Sequence, residues 1–174
     1  MNAVTQGLDP ILKRWPIFAA LASLAMLGVA HAFETFGHLA PCHLCLKQRE
    51  VYWVAAAVAA AIVVLEATVK AWRWPSLRWL LVAIFLFGAG LAAFHAGVEW
   101  KWWPGPTTCT TGGAPHINAE MMKGLLNGTS ASTAPMCDKA AWIFLGISMA
   151  GWNAIASVGL TALSVLAARR KIGA

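Results

Sequence analysis

Four cysteines carry the most pointed chemistry in this 174-residue chain. Cys42 and Cys45 lie in the run Pro41-Cys42-His43-Leu44-Cys45, whereas Cys109 and Cys137 are separated by twenty-seven residues, mostly loop formers. Two-residue spacing closes a tight disulfide ring that is readily reduced and re-formed. If the motif starts a helix, unpaired N–H groups and the macrodipole favour a thiolate there. Pro41 suits a first helical position, and His43 adds positive charge when protonated. A helix through Cys42, Cys45 and Arg49 carries them at i, i+3 and i+7, on one face. Arg49 can then stabilise a thiolate, or an electron-rich acceptor, beside Cys45. The Cys109/Cys137 pair reads in two ways, as a structural staple of a long loop or as a second redox pair. The cysteines with His38, His43 and His116 raise the question of zinc, but the second pair lacks the short C-x₂₋₄-C spacing of a structural site, and no metal is expected.

These residues must be positioned by membrane spans. The chain is 59% hydrophobic and 11% charged. A soluble domain of this length would carry about 43 charged residues at the usual frequency of about 25%; this one has 13 Lys and Arg and 7 Asp and Glu. That excludes a soluble globule, a disordered chain and a nucleic-acid module, since the basic residues behind the net charge of +6 are too few and scattered to make a patch. Four apolar runs approach or exceed the about 20 residues a spanning helix needs: 15–33, 51–69, 79–98 and 140–166. The fold class is therefore an all-α integral membrane protein, a four-transmembrane-helix bundle forming one domain over 1–174. Eight Lys and Arg fall on one side of these spans and five on the other. By the positive-inside rule both termini are cytoplasmic, and the loops 34–50 and 99–139, which hold all four cysteines, face out. Trp15, Trp72, Trp74, Trp79, Trp100, Trp102, Trp103 and Trp142 fall at span ends, as interface anchors do. The first span also resembles a signal peptide ending at Ala30-His31-Ala32, but its apolar run exceeds the usual core of about 7–15 residues, so it is expected to be retained. Within the loop-like stretch 107–134, Ile117, Met121 and Leu125 recur every four residues, as in a short helix on the membrane surface or a turn packed on the bundle.

Cysteines confined to the oxidising face imply disulfide chemistry, and two pairs suggest a relay that moves two electrons per exchange. A relay needs a final acceptor. No motif supports a nicotinamide, flavin, haem or iron–sulfur cluster, so a lipid-soluble acceptor docking near Cys45 and Arg49 fits best.

The four spans, Pro41-Cys42-x-x-Cys45-x-x-x-Arg49, the Trp-Pro-x-Pro before Cys109, and Cys137 followed by Trp142-x-Phe-Leu-Gly together resemble the disulfide bond formation protein B (DsbB) family of bacterial inner membranes. The resemblance covers nearly the whole chain. It implies a bundle that reoxidises a periplasmic DsbA-like thiol oxidase and passes electrons to the membrane quinone pool, ubiquinone or menaquinone. It further implies that Cys109 forms the mixed disulfide with the partner and that Cys137 is released and exchanges with Cys42. Cys45 becomes the thiolate stacked on the quinone ring, and Arg49 stabilises that pair. His95 falls where the family places a quinone-site residue. An ionisable residue at membrane depth is a functional hypothesis by default, and the other reading of His95 is a histidine hydrogen-bonded between helices. Gln48, beside Arg49, is a further quinone-site candidate; His31 reads as interfacial packing. Two other functions compete: a non-catalytic scaffold stapled by two disulfides, and a quinone-linked reductase of the vitamin K epoxide reductase type. The latter places its quinone-proximal C-x-x-C late in the bundle, whereas here the motif follows span one.

Overall fold

The computed structural model describes residues 7–69, 75–106 and 136–170. Its elements in chain order are α1 (Asp9–Lys13), α2 (Trp15–Thr35), α3 (His43–Thr68), α4 (Pro75–Glu99), a two-stranded hairpin of β1 (Ile143–Phe144) and β2 (Ile147–Ser148), and α5 (Met149–Arg169). Helices α2 to α5 are each long and apolar enough to cross a membrane. Large apolar side chains such as Leu21, Leu24, Trp53, Val54, Phe87 and Val158 point outward from all four, as lipid-facing surfaces require. The protein is thus an all-α membrane bundle, with one short hairpin among the described residues.

Small residues set the packing. Ala19, Ala55, Ala59, Ala92 and Ala167 are fully or almost fully buried, which lets neighbouring backbones approach closely where no solvent drives association. Helix α2 packs on α3, α3 on α4, and α4 most extensively on α5. Hydroxyls inside the bundle close on their own helices: Ser23 donates to the Ala19 carbonyl, Thr161 to Ser157 and Ser164 to Leu160. Such back-bonding satisfies groups that lipid could not.

The two ends differ in chemistry. One end collects basic residues: Arg78 pairs with Glu66 at 3.1 Å and Arg170 with Asp9. The other end holds Cys42, Cys45, Cys137, Arg49 and His95. Trp15 departs from the interface-anchor expectation. It is 2% exposed and its indole N–H donates to Ser164 Oγ at 2.9 Å, joining the start of α2 to the end of α5. Trp79, Trp100, Trp102 and Trp103 are exposed, as anchors are. Trp72, Trp74 and the stretch containing Ile117, Met121 and Leu125 lie outside the described residues.

Two boundaries differ from the apolar runs. Helix α3 starts at His43, eight residues before the apolar run at Val51, so Cys45, Gln48 and Arg49 are helical and the outer loop 34–50 is shortened. The first two turns of α3 carry His43, Lys47, Gln48, Arg49 and Glu50, so hydropathy places the start of the helix too late. At the other boundary, the run 140–166 is helical only from Met149. Leu145 (φ 51°) and Gly146 (φ 78°) form a two-residue left-handed turn between β1 and β2, the geometry that two-residue hairpins favour. Ser148 then caps α5 by accepting the Gly151 N–H at 3.1 Å.

Candidate redox site

The site is assembled at the start of α3. Cys42 is the N-cap of that helix, with extended backbone (φ −77°, ψ 171°), and its sulfur accepts the Cys45 N–H at 3.3 Å. A thiol thus occupies the place usually taken by Ser, Thr, Asp or Asn. Pro41 is therefore not the first helical residue, which is His43; it precedes the cap. Cys42 Sγ also stands 2.9 Å from Cys45 Sγ and donates to it. That hydrogen bond, with burial added, holds the Cys42 thiol above its ordinary value. Cys42 is buried and Cys45 half-buried, and both are free thiols.

Helix α4 supplies His95. It is 3% exposed, with Nε2 3.6 Å from Cys42 Sγ and Nδ1 2.8 Å from Gln48 Nε2. The surrounding network assigns its tautomer. Tyr52 donates to Asn153 Oδ1 at 2.5 Å, Asn153 Nδ2 donates to Gln48 Oε1, and Gln48 therefore turns its NH₂ to His95 Nδ1. A nitrogen that accepts leaves the ring proton on Nε2, which faces Cys42 and Glu99, whose Oε1 is 3.8 Å away; the ring also hydrogen-bonds the Cys137 backbone. The chain Tyr52–Asn153–Gln48–His95–Cys42 crosses α3, α4 and α5 with every donor pointing the same way.

Cys137 reaches this point from the segment before the hairpin. It is 1% exposed and disulfide-bonded; since Cys42 and Cys45 are free, neither is its partner. Its sulfur, the Cys42 sulfur and a ring nitrogen of His95 all lie within 4.8 Å of one another. Two contacts hold the incoming chain. Lys101 (φ 63°) sends its ammonium to the Asp138 carbonyl at 2.8 Å and to its carboxylate at 2.6 Å. The Lys101 hydrogen bond keeps the Asp138 carboxyl below the usual carboxylate range. The Trp-Pro-x-Pro segment begins by folding back: the Trp103 indole donates to the Phe94 carbonyl at 2.9 Å and stacks on the Phe94 ring. Its ring lies against Gly97, where a Cβ would collide with it.

Arg49 is half-buried and turns toward α2. It pairs with Glu34 Oε2 at 2.5 Å and donates to the Ala30 carbonyl at 3.1 Å. Its expected partner, Cys45, is one helical turn earlier on α3 and receives no hydrogen bond from it among the described residues. Next to Glu34, Phe33 packs on Trp142 (centroids 5.1 Å apart), which stacks on Phe144. The guanidinium and this aromatic pair thus lie together at the outer end of α2, with Cys45 one turn away on α3. A groove opening outward between α3 and α4 is lined by Val51, Val54, Ala83, Ile84, Phe87 and Leu91, with Lys47 and Glu50 at its charged edge. It lies on the other side of α3, since Arg49 and Val51 are about 200° apart round a helix.

Of the sequence candidates, the fold brings Cys42, Cys45, Cys137, His95 and Gln48 together, with Arg49 beside them. Cys109 and His116 lie outside the described residues. His31 is exposed, 3.7 Å from Glu34. Sequence reading missed Glu99, Glu34, Tyr52 and Asn153 as members of this network. Glu99 was findable as the acid four residues after His95, on its face of the helix; Glu34 was findable as the one acid ending span one.

Residues 12–167 match the family described as disulfide bond formation protein DsbB. A relative named "Disulfide bond formation protein B" from Dechloromonas aromatica is 28% identical over 166 residues, covering 92% of this chain and 94% of its own. One of the same name from Methylococcus capsulatus is 31% identical over 153 residues, covering 82% and 85%. A third, from a Polaromonas species, is 28% identical over 167 residues, covering 93% and 96%.

Proposed function

The chain belongs to the DsbB family of disulfide bond formation proteins, and from that membership we propose a quinone-coupled thiol oxidase of the bacterial inner membrane. It reoxidises a periplasmic DsbA-like dithiol oxidase and passes the electrons to ubiquinone or menaquinone. The observation that carries this reading is the meeting of disulfide-bonded Cys137 with free Cys42, sulfurs within 4.8 Å. The thiol end then faces the periplasm and the basic end, with Arg78 and Arg170, the cytoplasm, in keeping with the positive-inside rule.

The steps balance as two-electron exchanges. A partner thiolate attacks Cys109 in a Cys109–Cys137 disulfide, and Cys137 leaves as the thiolate. Cys137 attacks Cys42 of an oxidised Cys42–Cys45 pair, and Cys45 leaves carrying the electron pair. The partner's second thiol resolves its own mixed disulfide and departs oxidised. Cys109 then reclaims Cys137, which leaves Cys42 and Cys45 both reduced. His95, donating from Nε2, steadies negative charge on Cys42 as it forms and breaks bonds. Arg49 orients and compensates charge at the acceptor side, with Phe33 and Trp142 excluding water. The quinone supplies the chemistry the protein lacks, acceptance of two electrons. It is needed because a DsbA-like partner is already strongly oxidising, at about −120 mV, and each 30 mV uphill costs about 1.4 kcal/mol.

The test mixes purified protein, a reduced DsbA-like partner and a soluble quinone analogue and follows quinone absorbance. One quinone should be reduced per partner disulfide formed, with loss of activity in Cys109→Ser and Cys137→Ser. Unchanged partner oxidation in both variants would overturn the relay and favour a disulfide-stapled scaffold.

A further inference from the structure

The same corner of the bundle has the makings of a metal site that only a reduced protein would expose. Three ligand atoms, Cys42 Sγ, Cys137 Sγ and a His95 ring nitrogen, lie within 4.8 Å of one another, and all three residues are buried. The 3.6 Å from Cys42 Sγ to His95 Nε2 already matches the about 3.6 Å edge of a tetrahedral zinc with bonds of about 2.0–2.3 Å. Cys137 Sγ, within 4.8 Å of both, has to close by no more than about 1 Å to complete that face. An independent feature points to a fourth ligand. The Glu99 side chain is only 6% exposed; Oε1 lies 3.8 Å from that same His95 nitrogen, and Oε2 is buried with no hydrogen-bond partner among the described residues. The carboxyl also hydrogen-bonds Ser148 and acts electrostatically on Cys45. A buried carboxylate oxygen without a partner is costly, and a cation would satisfy it.

We propose that Cys42, His95, Cys137 and Glu99 form a redox-gated site for a soft divalent cation of the zinc or cadmium class. Disulfide-bonded Cys137 lacks the thiolate a metal needs, so the oxidised protein is closed to it. Once a further reduced dithiol, such as a second DsbA-like partner, supplies two electrons to the Cys137 disulfide and leaves as its own disulfide, Cys42 and Cys137 are both thiols; on binding, these lose their protons, the metal takes both thiolates, two protons are released, and no electrons move in the binding step. Metal on Nε2 requires the ring proton on Nδ1. The Gln48 and Asn153 amides provide this by turning over together: Gln48 offers its oxygen to Nδ1–H and its NH₂ to Asn153, whose NH₂ then faces Tyr52. That hydroxyl also contacts Ser157 at 3.0 Å and can donate there. Ligating histidines usually donate their second N–H to such an oxygen. The bound form locks Cys42 and Cys137 apart from the relay, so the cation is an inhibitor of the reduced state.

The site is distinct from a simple chelate of the C-x-x-C pair, and cadmium alone can separate them by its thiolate charge-transfer absorbance. Reduced full-length protein in detergent should bind one equivalent, and Cys45→Ser should bind equally well. Oxidised wild type should show none, a control that needs no variant to fold. Cys137→Ser should remove the two-thiolate band. His95→Gln and Glu99→Gln should each weaken binding, the former by about tenfold or more, with thermal unfolding confirming that both are folded. Binding that survives Cys137→Ser and His95→Gln, or that disappears in Cys45→Ser, would overturn the proposal. Turnover with quinone is not read in this experiment, so its failure and the failure of the oxidase reading are separable.

Discussion

Helices α3 and α5 begin with the same cap built from different atoms. At Cys42 the backbone is extended (φ −77°, ψ 171°) and a sulfur accepts the N–H three residues on, at 3.3 Å. At Ser148 the backbone is nearly identical (φ −71°, ψ 165°), and an oxygen accepts the N–H three residues on, at 3.1 Å. The oxygen cap is permanent. In the proposed relay Cys42 alternates between thiol and disulfide, so the first turn of α3 would be coupled to the redox state and that of α5 would not. The lesson is that helix capping and thiol chemistry use one geometry, and the element decides which of them is reversible.

Replacing the sulfur by oxygen breaks the comparison most severely. Cys42→Ser keeps a competent cap and should leave thermal stability near wild type, yet partner oxidation should fall to background; retained turnover would mean Cys42 is not in the relay. Next in size, Arg49→Ala leaves the cap and both thiols in place. Quinone-dependent turnover should drop about tenfold or more, equivalent to about 1.4 kcal/mol, while the mixed disulfide between the partner and Cys109 still accumulates on a gel. Equal loss of both would make Arg49 a folding residue through Glu34 rather than an acceptor-side one.

The capping thiol also has a pH signature. Cys42 is held above the ordinary thiol value by its hydrogen bond to Cys45 and by burial, so the folded state prefers it protonated. Stability from this source is full below about pH 8.5, the unfolded thiol value, and declines as pH rises beyond it. Alkylation resolved by mass spectrometry should find Cys42 several-fold slower than Cys45, still accelerating above about pH 9; a plateau near pH 8 would contradict the assignment. The smallest effect belongs to the oxygen cap. Ser148→Ala should cost about 1 kcal/mol in unfolding experiments and change turnover by less than about twofold, because α5 carries no redox group. A large loss of turnover there would show that Ser148 acts through Glu99.

Much of this was legible in the sequence because it is local. Low charge and four apolar runs required a membrane bundle, and the C-x-x-C followed by Arg49 marked the start of α3 as the chemical end. Where reading by hydropathy failed, the failures have causes. The polar opening turns of α3 hid the true start at His43, and the Leu145-Gly146 turn interrupts an apolar run that looks like uninterrupted helix. Trp15 looked like an anchor because a tryptophan at a span end usually is one; its indole instead finds Ser164, 149 residues away.

What the chain determined by itself is whatever period, composition and short spacing encode: the spans, the asymmetry of basic residues, and the pairing of Cys42 with Cys45. What only the tertiary structure decided is which distant groups face one another. His95 and Glu99 sit 53 or more residues beyond Cys42, and Cys137 comes from a segment held by Lys101 and Asp138. No local pattern carries the rotation of α4 that turns His95 toward Cys42, or the choice of Glu34 as the partner of Arg49. Those follow from small residues setting how closely the helices approach and from the need to satisfy every buried polar group inside lipid.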